Sequence, residues 1–487
     1  MWHGLLLPLA NGHGCGGGPR EDNTTAFLVR STATKWAKGS LLAVDAGTHL
    51  AAITRILEKH LPGKTPDDAD EHLFTLTEGP FKGLKIPNSS ASANAGYIVR
   101  TIVDTYLITH PHLDHISGFV INTASLPGTR PKRLAGLPST INAFKEHIFN
   151  NVIWPNLSDE NNGAGLVTYM RLVEGGSPAM GDGEGKGYME ICDGLSVKTW
   201  SVSHGHCIEK HTHRGSGAGL PEVSPRLGTA SLSSQMDRSS RSTSGRILSP
   251  ADGLRTDPLD QICVYDSSAY FIRDIASGRE ILMFGDVEPD SISLSPRNKQ
   301  VWSEAAPKIV AGQLGAIFIE CSYDDSRSED TLFGHLAPRY LIEELKSLVA
   351  QVHAYNGRNK EKKKRKRVSE RHEIRQRSTR TSLSKDGPIS PLTGNGRRSF
   401  EFEVTPADGI EAQSDGAASS PTPELAMRGQ GELLLKGVKV VVIHTKDKLD
   451  DGPAIGDVIL QELLDWEIEE QLGCEFVVPK FGDALYF

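Results

Sequence analysis

Short runs of β-branched and aromatic residues alternate along this chain with stretches whose apolar residues recur at helical spacing. The runs predict strands at residues 26–30, 41–45, 105–109, 196–203, 261–266, 280–285, 316–321 and 437–443. The helical spacing predicts helices at 92–103, 139–149, 336–353 and 456–471, with Leu336, Tyr340, Leu341, Leu345 and Leu348 marking the third. Such alternation is the signature of an α/β domain. Two stretches break the pattern. Residues 214–258 are rich in Ser, Gly, Pro and Arg; residues 356–432 open on a basic run and end in Ser, Pro, Ala and Glu. Neither holds enough apolar surface to offset the entropy of ordering, so both read as disordered insertions in one domain spanning 15–487.

Composition changes this picture little. At 487 residues, with 38% hydrophobic, the chain exceeds what one core needs and is poor enough in apolar residues to include unpacked segments. A net charge of −8 argues against a general nucleic-acid partner. No apolar run reaches the length of about 18 residues that a membrane span requires. The apolar stretch within 1–10 has no basic residue ahead of it, which argues against a signal peptide. Six scattered cysteines without a CxxC pair exclude a thiolate zinc finger and fit a reducing compartment, so the cytoplasm is the expected location.

The chemistry concentrates in residues 105–115, TYLITHPHLDH. A β-rich apolar run ends and at once presents His110, His112, Asp114 and His115. Imidazole nitrogen and carboxylate oxygen are the donors that borderline divalent metals such as zinc prefer. In a tight loop leaving a strand, His110 and His112 can converge on one ion while Asp114 and His115 turn toward a second. The other strand ends offer further donors: His204 after 196–203, Asp286 after 280–285 and His444 after 437–443. His206 competes with His204 for its place. A single polar residue at a strand end is ordinary; three with the same placement beside a four-residue cluster point to ligands.

The order His110-x-His112-x-Asp114-His115, then His204, Asp286 and His444, resembles the metallo-β-lactamase superfamily. More narrowly, residues 110–118 (HPHLDHISG), 16–23 (GGPREDN following Gly16), 42–47, 319–323 and 332–338 (LFGHLAP) resemble the low-affinity, fungal-type class II cyclic-nucleotide phosphodiesterases. Phe119 and Thr123 depart from that pattern at positions that are not ligand types. The strand expected ahead of the glycine-rich turn is poorly formed, which leaves residues 1–14 unassigned.

The resemblance implies a metallo-β-lactamase-like αββα sandwich. It implies two divalent metal ions, zinc favoured, one held by His110, His112 and His204 and the other by Asp114, His115 and His444, with Asp286 bridging. It also implies hydrolysis of a 3′,5′-cyclic nucleotide, cAMP and also cGMP, to the 5′-monophosphate by a water the two metals activate. His335, ahead of the helix 336–353, would contact the phosphate or protonate the leaving oxygen, with Asp114 beside it among the catalytic residues. Asp45 would orient a ligand from behind. The glycine-rich stretch 12–18 lacks the Lys-Ser/Thr of a phosphate loop.

Two rival functions remain at this point. A tRNA 3′-end-processing endonuclease would share the metal pattern, although acidic balance and the FGHLAP context argue against it. A non-catalytic scaffold would leave the full donor set without a role. The basic run 358–380, with twelve Lys or Arg against three Glu, reads first as a solvated flexible segment. Sharper readings are nuclear import through 362–367 and a protein kinase acting on Ser369 and Ser399, which follow basic residues.

Overall fold

The computed structural model describes residues 4–8, 15–61, 74–125, 130–181, 183–209, 261–381 and 433–487. The expected insertion 214–258 and the 382–432 part of the second lie outside these residues.

Two β-sheets face each other. The first runs, in spatial order, β17 (Leu485–Tyr486), β1 (Gly4–Pro8), β3 (Ala26–Ser31), β4 (Leu41–Ala46), β7 (Val103–Leu107), β8 (Lys132–Gly136) and β9 (Val167–Arg171). The second runs β10 (Met189–Cys192), β11 (Leu195–Glu209), β12 (Gln261–Asp274), β13 (Glu280–Phe284), β14 (Leu314–Glu320), β15 (Lys439–Thr445) and β16 (Glu475–Val477), with β2 (Cys15–Gly16) added beside β15. A two-stranded ribbon, β5 (Phe74–Thr75) and β6 (Lys85–Ile86), stands apart. The inner faces meet in a core of Phe27, Val29, Val44, Leu107, Tyr270, Ile281, Phe318 and Val441. Helices α1 (Leu50–His60), α2 (Ala91–Tyr97), α3 (Leu113–Ser125) and α4 (Pro138–Ala143) cover the first sheet. Helices α5 (Asn298–Val310), α6 (Pro338–Thr381) and α7 (Ile455–Glu470) cover the second. The result is the αββα sandwich expected from the sequence.

Strand pairing sets where chemistry can occur. β4 and β7 are parallel, as are β13, β14 and β15. Parallel neighbours deliver their C-terminal ends to the same edge, and side chains just past those ends share one cleft.

Several elements differ from the sequence reading. The stretch 356–381, expected to be disordered, continues α6, whereas the expected helix stopped at 353. Leu341, Leu345, Leu348 and Val352 bury the first turns. Beyond them the Lys, Arg and Glu residues are strong helix formers that extend a helix already nucleated. β12 runs to Asp274 rather than 266; Ser267 and Ser268 interrupt the apolar alternation but are buried and paired with β11. The N-terminal segment contributes β1, whose backbone pairs with β3 and β17. Asp114 and His115 lie in the first turn of α3, not in a loop. A carboxylate there is favoured by the amide dipoles of the helix start.

Candidate metal centre

Asp286 follows β13 and is the hub of the cleft. Its Oδ2 lies 3.7 Å from His110 Nε2, 3.5 Å from His204 Nε2 and 3.2 Å from His444 Nε2, and its Oδ1 lies 3.2 Å from His115 Nε2. Three groups of donor atoms share it; one adds Glu320 and His335 to His204, and the other two hold the residues singled out from the sequence. His110, His112, His204 and Asp286 have one ligand atom each within 4.8 Å of one another, and so do Asp114, His115, Asp286 and His444. Asp114 Oδ2 reaches His115 Nε2 at 3.9 Å and His444 Nε2 at 3.7 Å.

Each buried histidine is aimed by a partner on its outer nitrogen. His115 Nδ1 donates to Asp45 Oδ2 at 2.8 Å. His204 Nδ1 donates to the Gly334 carbonyl at 2.8 Å. Thr109 gives its hydroxyl proton to Asp45 Oδ2 (2.8 Å), so its oxygen accepts from His110 Nδ1 (3.1 Å). Thr25 likewise gives its proton to the Gly16 carbonyl (3.3 Å) and accepts from His444 Nδ1 (2.7 Å). With Nδ1 held from behind in all four rings, every Nε2 faces Asp286, and those of His110, His204 and His444 do so with a lone pair. Nε2 of His110, His115 and His444 is buried and makes no hydrogen bond. Buried nitrogens without a partner are costly unless something occupies the space between them. Imidazoles steered from behind around a shared carboxylate are what a divalent cation of borderline softness requires, so the residues fit such an ion.

The electrostatics agree. Burial holds the His204 imidazole down to about 3, and burial with the neighbouring His115 charge holds His110 well below its ordinary value. Burial lowers His444 in the same way and lowers His112. His115 goes the other way: burial opposes its charge, yet Asp286, Asp45 and Asp114 together raise it well above the usual range. Burial also opposes the Asp286 carboxylate, but its electrostatic interaction with the His444 and His115 imidazoles holds it well below the usual carboxylate range. The cleft thus combines four imidazoles held neutral, His110, His112, His204 and His444, with a His115 whose charge the carboxylates support and an Asp286 that stays ionised.

Backbone geometry makes this packing feasible at Gly17, where a Cβ would lie 2.4 Å from His444 Nε2. His444 itself, at φ 58, turns out of β15 into the cleft.

A sequence model of the class-II cAMP phosphodiesterases matches residues 25–218 and 231–358. The chain belongs to that family. It is a 3′,5′-cyclic-nucleotide phosphodiesterase, as are several of the relatives it resembles. The Schizosaccharomyces pombe 3′,5′-cyclic-nucleotide phosphodiesterase is 29% identical over 343 residues, covering 70% of this chain and 75% of that protein. The Saccharomyces cerevisiae 3′,5′-cyclic-nucleotide phosphodiesterase 1 is 27% identical over 368 residues, covering 69% and 81%. The crystal structure of unliganded yeast PDE1 shares the fold, with a TM-score of 0.59 at 20% identity over 100% of both chains.

In this class-II phosphodiesterase, the seven residues singled out as ligands from the sequence converge on one cleft. His204 rather than His206 reaches Asp286. A register shift between Ser203 and His206 turns the chain there, and His206 is exposed beyond it. His335 is buried at the same cleft, its Nδ1 3.8 Å from Asp286 Oδ2. Sequence reasoning missed Glu320. This fully buried carboxylate accepts from His335 Nδ1 at 2.9 and 3.1 Å, from the Val287 backbone N–H at 2.8 Å and from the Ser322 hydroxyl at 2.6 Å. Its signal was available: it ends a β-run, as Asp45 does.

Proposed function

We propose that this phosphodiesterase opens the cyclic phosphodiester of cAMP, and of cGMP, at its 3′ oxygen and releases the nucleoside 5′-monophosphate at a centre of two divalent metal ions. The observation that carries this reading is the sharing of Asp286 by two donor groups whose remaining ligand atoms are imidazole nitrogens and an Asp114 oxygen. His110, His112 and His204 would hold one ion, Asp114, His115 and His444 the other, with Asp286 between them; nitrogen-rich ligation favours zinc. When bound, such a pair supplies a water of lowered pKa and neutralises charge on the phosphoryl oxygens.

The chain's own groups do the rest. Thr25, Thr109, Asp45 and the Gly334 carbonyl hold four imidazoles in the tautomer and orientation that face the phosphate. His335, anchored through Nδ1 to Glu320, has Nε2 left to carry a proton to the departing 3′ oxygen. Burial of Glu320 keeps that histidine from swinging away.

Two peripheral readings accompany this one. The basic run 362–367 on α6, whose side chains are exposed at 362–366, would serve as a nuclear import signal for an otherwise cytoplasmic enzyme. A protein kinase would act on Ser369, further along that helix, and on Ser399, which lies outside the described residues. The direct test of the chemistry is product identity with metal content. Release of 5′-AMP by protein carrying two metal equivalents supports the reading; 3′-AMP, or full activity with one equivalent, refutes it.

A further inference from the structure

The metal centre accounts for the phosphate but not for the rest of a cyclic nucleotide. The mouth of the cleft is marked by His112, the exposed member of its ligand group. Three large side chains are exposed on the segments that adjoin it: Leu113 at 69%, next to His112 in sequence, Phe333 at 66% and Tyr265 at 42%. Scattered exposed apolar residues are normal, but three on the segments beside one functional opening are not scattered.

Tyr265 is directed at the site, its ring 6.1 Å from that of His112 at an angle of 66°. It lies in β12 between Val264 and Asp266, opposite the irregularity in β11 that contains His204 and Gly205. The Phe333 backbone lies beside the same glycine. A Cβ on Gly205 would sit 3.2 Å from Gly334 Cα and 3.8 Å from the Phe333 carbonyl carbon. Tyr265 on β12 and Phe333 in the loop ahead of α6 are thus both carried by segments that adjoin His204 and Gly205.

Phe333 is also held at a cost. Its φ of 52 is a left-handed conformation that bulky side chains rarely adopt, and it occurs two residues before His335. The segment that carries it is pinned. The Arg327 guanidinium carbon lies 4.6 Å from the Tyr323 ring centre and 5.9 Å from that of Phe333. Arg327 Nε donates to the Thr331 carbonyl at 3.1 Å. An exposed phenyl ring in an unfavourable backbone state, fastened by a stacked guanidinium, contributes no core burial to explain its placement.

We infer that Tyr265 and Phe333 form the site for the purine base of the substrate, receiving it by stacking at the rim while the phosphate lies over Asp286. The inference rests on the cyclic-nucleotide reading of the centre. The base projects from the ribose on the side away from the cyclic phosphate, so a phosphate in the cleft leaves the base at the mouth. Flat aromatic faces suit it because every base has a π-face, and stacking of this kind changes affinity on the order of ten- to hundredfold. Stacking alone discriminates weakly between adenine and guanine, so a rim of this type accepts both purines.

The test compares cAMP with 3′,5′-cyclic ribose phosphate, which keeps the reacting diester and lacks the base. Tyr265→Leu and Phe333→Leu keep an apolar side chain and lose the ring; Tyr265→Phe keeps the ring. Each leucine variant should raise KM for cAMP about tenfold, with kcat within about threefold and KM for the base-less diester unchanged. Tyr265→Phe should behave as wild type. KM values for cAMP that stay at the wild-type level, or that rise equally for both substrates, overturn the base site while leaving the metal-centre reading intact. If Phe333→Leu fails to fold, Tyr265→Leu alone decides between these outcomes. Wild-type protein that hydrolyses neither substrate overturns both.

Discussion

The Glu320 carboxylate cups His335 Nδ1 from 2.9 and 3.1 Å with both of its oxygens, and no part of it reaches solvent. A buried carboxylate so placed fixes the ring. Glu320→Gln should lower kcat for cAMP by roughly ten- to a hundredfold, and His335→Ala by about a hundredfold or more, with metal content unchanged. A diester with a p-nitrophenolate leaving group needs no proton on departure and should lose far less. Equal losses on both substrates would remove His335 from the proton-donor role.

Asp45 and Asp286 are both buried carboxylates against His115, on opposite nitrogens. They should fail differently. Asp45→Asn weakens the hold on His115 and should cost about ten- to a hundredfold in metal affinity, with activity restored by added metal. Asp286→Ala removes the oxygen atoms common to both donor groups and should leave a protein that excess metal does not rescue. Metal titration followed by activity assay separates the two; rescue of Asp286→Ala would contradict the shared-ligand arrangement.

Acid should destabilise the metal-free protein partly through His49. Burial holds this imidazole down to about 3 against an ordinary value near 6.5, and its Nε2 is within 3.1 Å of the Tyr106 hydroxyl. Between those two pH values the unfolded chain binds a proton that the folded chain refuses, so stability falls as pH drops through that window. Urea unfolding at pH 7 and pH 4.5 should show a smaller pH-dependent loss for His49→Leu than for wild type. An identical loss would mean that His49 takes up its proton without unfolding.

What the sequence made legible follows strand ends. His204, Asp286 and His444 stood out because each follows a run of β-formers; parallel pairing through β14 brings Asp286 and His444 to one edge, whereas His204 sits at the irregularity inside β11, which runs on to Glu209. Glu320 obeys the same rule but sits in a segment with no histidine beside it to draw notice. Thr25 and Thr109 were invisible, since a hydroxyl that only fixes a tautomer has no spacing of its own. Tyr265 and Phe333 were hidden because each stands in an apolar run that reads as core, residues 262–264 before the one and Leu332 before the other. The α6 extension escaped because its apolar periodicity stops at Val352 while helix-forming charged residues continue. His206 could be separated from His204 only by the irregularity in β11, which depends on its partner strand.

The most direct measurement incubates the purified full chain with cAMP, cGMP and a precursor tRNA, each with and without a chelator, and identifies the products. The account predicts 5′-AMP and 5′-GMP, both abolished by the chelator and restored by zinc, with the tRNA intact; Asp114→Ala and His112→Ala should be nearly inactive. Cleavage of the tRNA alone, or release of 5′-AMP that the chelator leaves untouched, would contradict it.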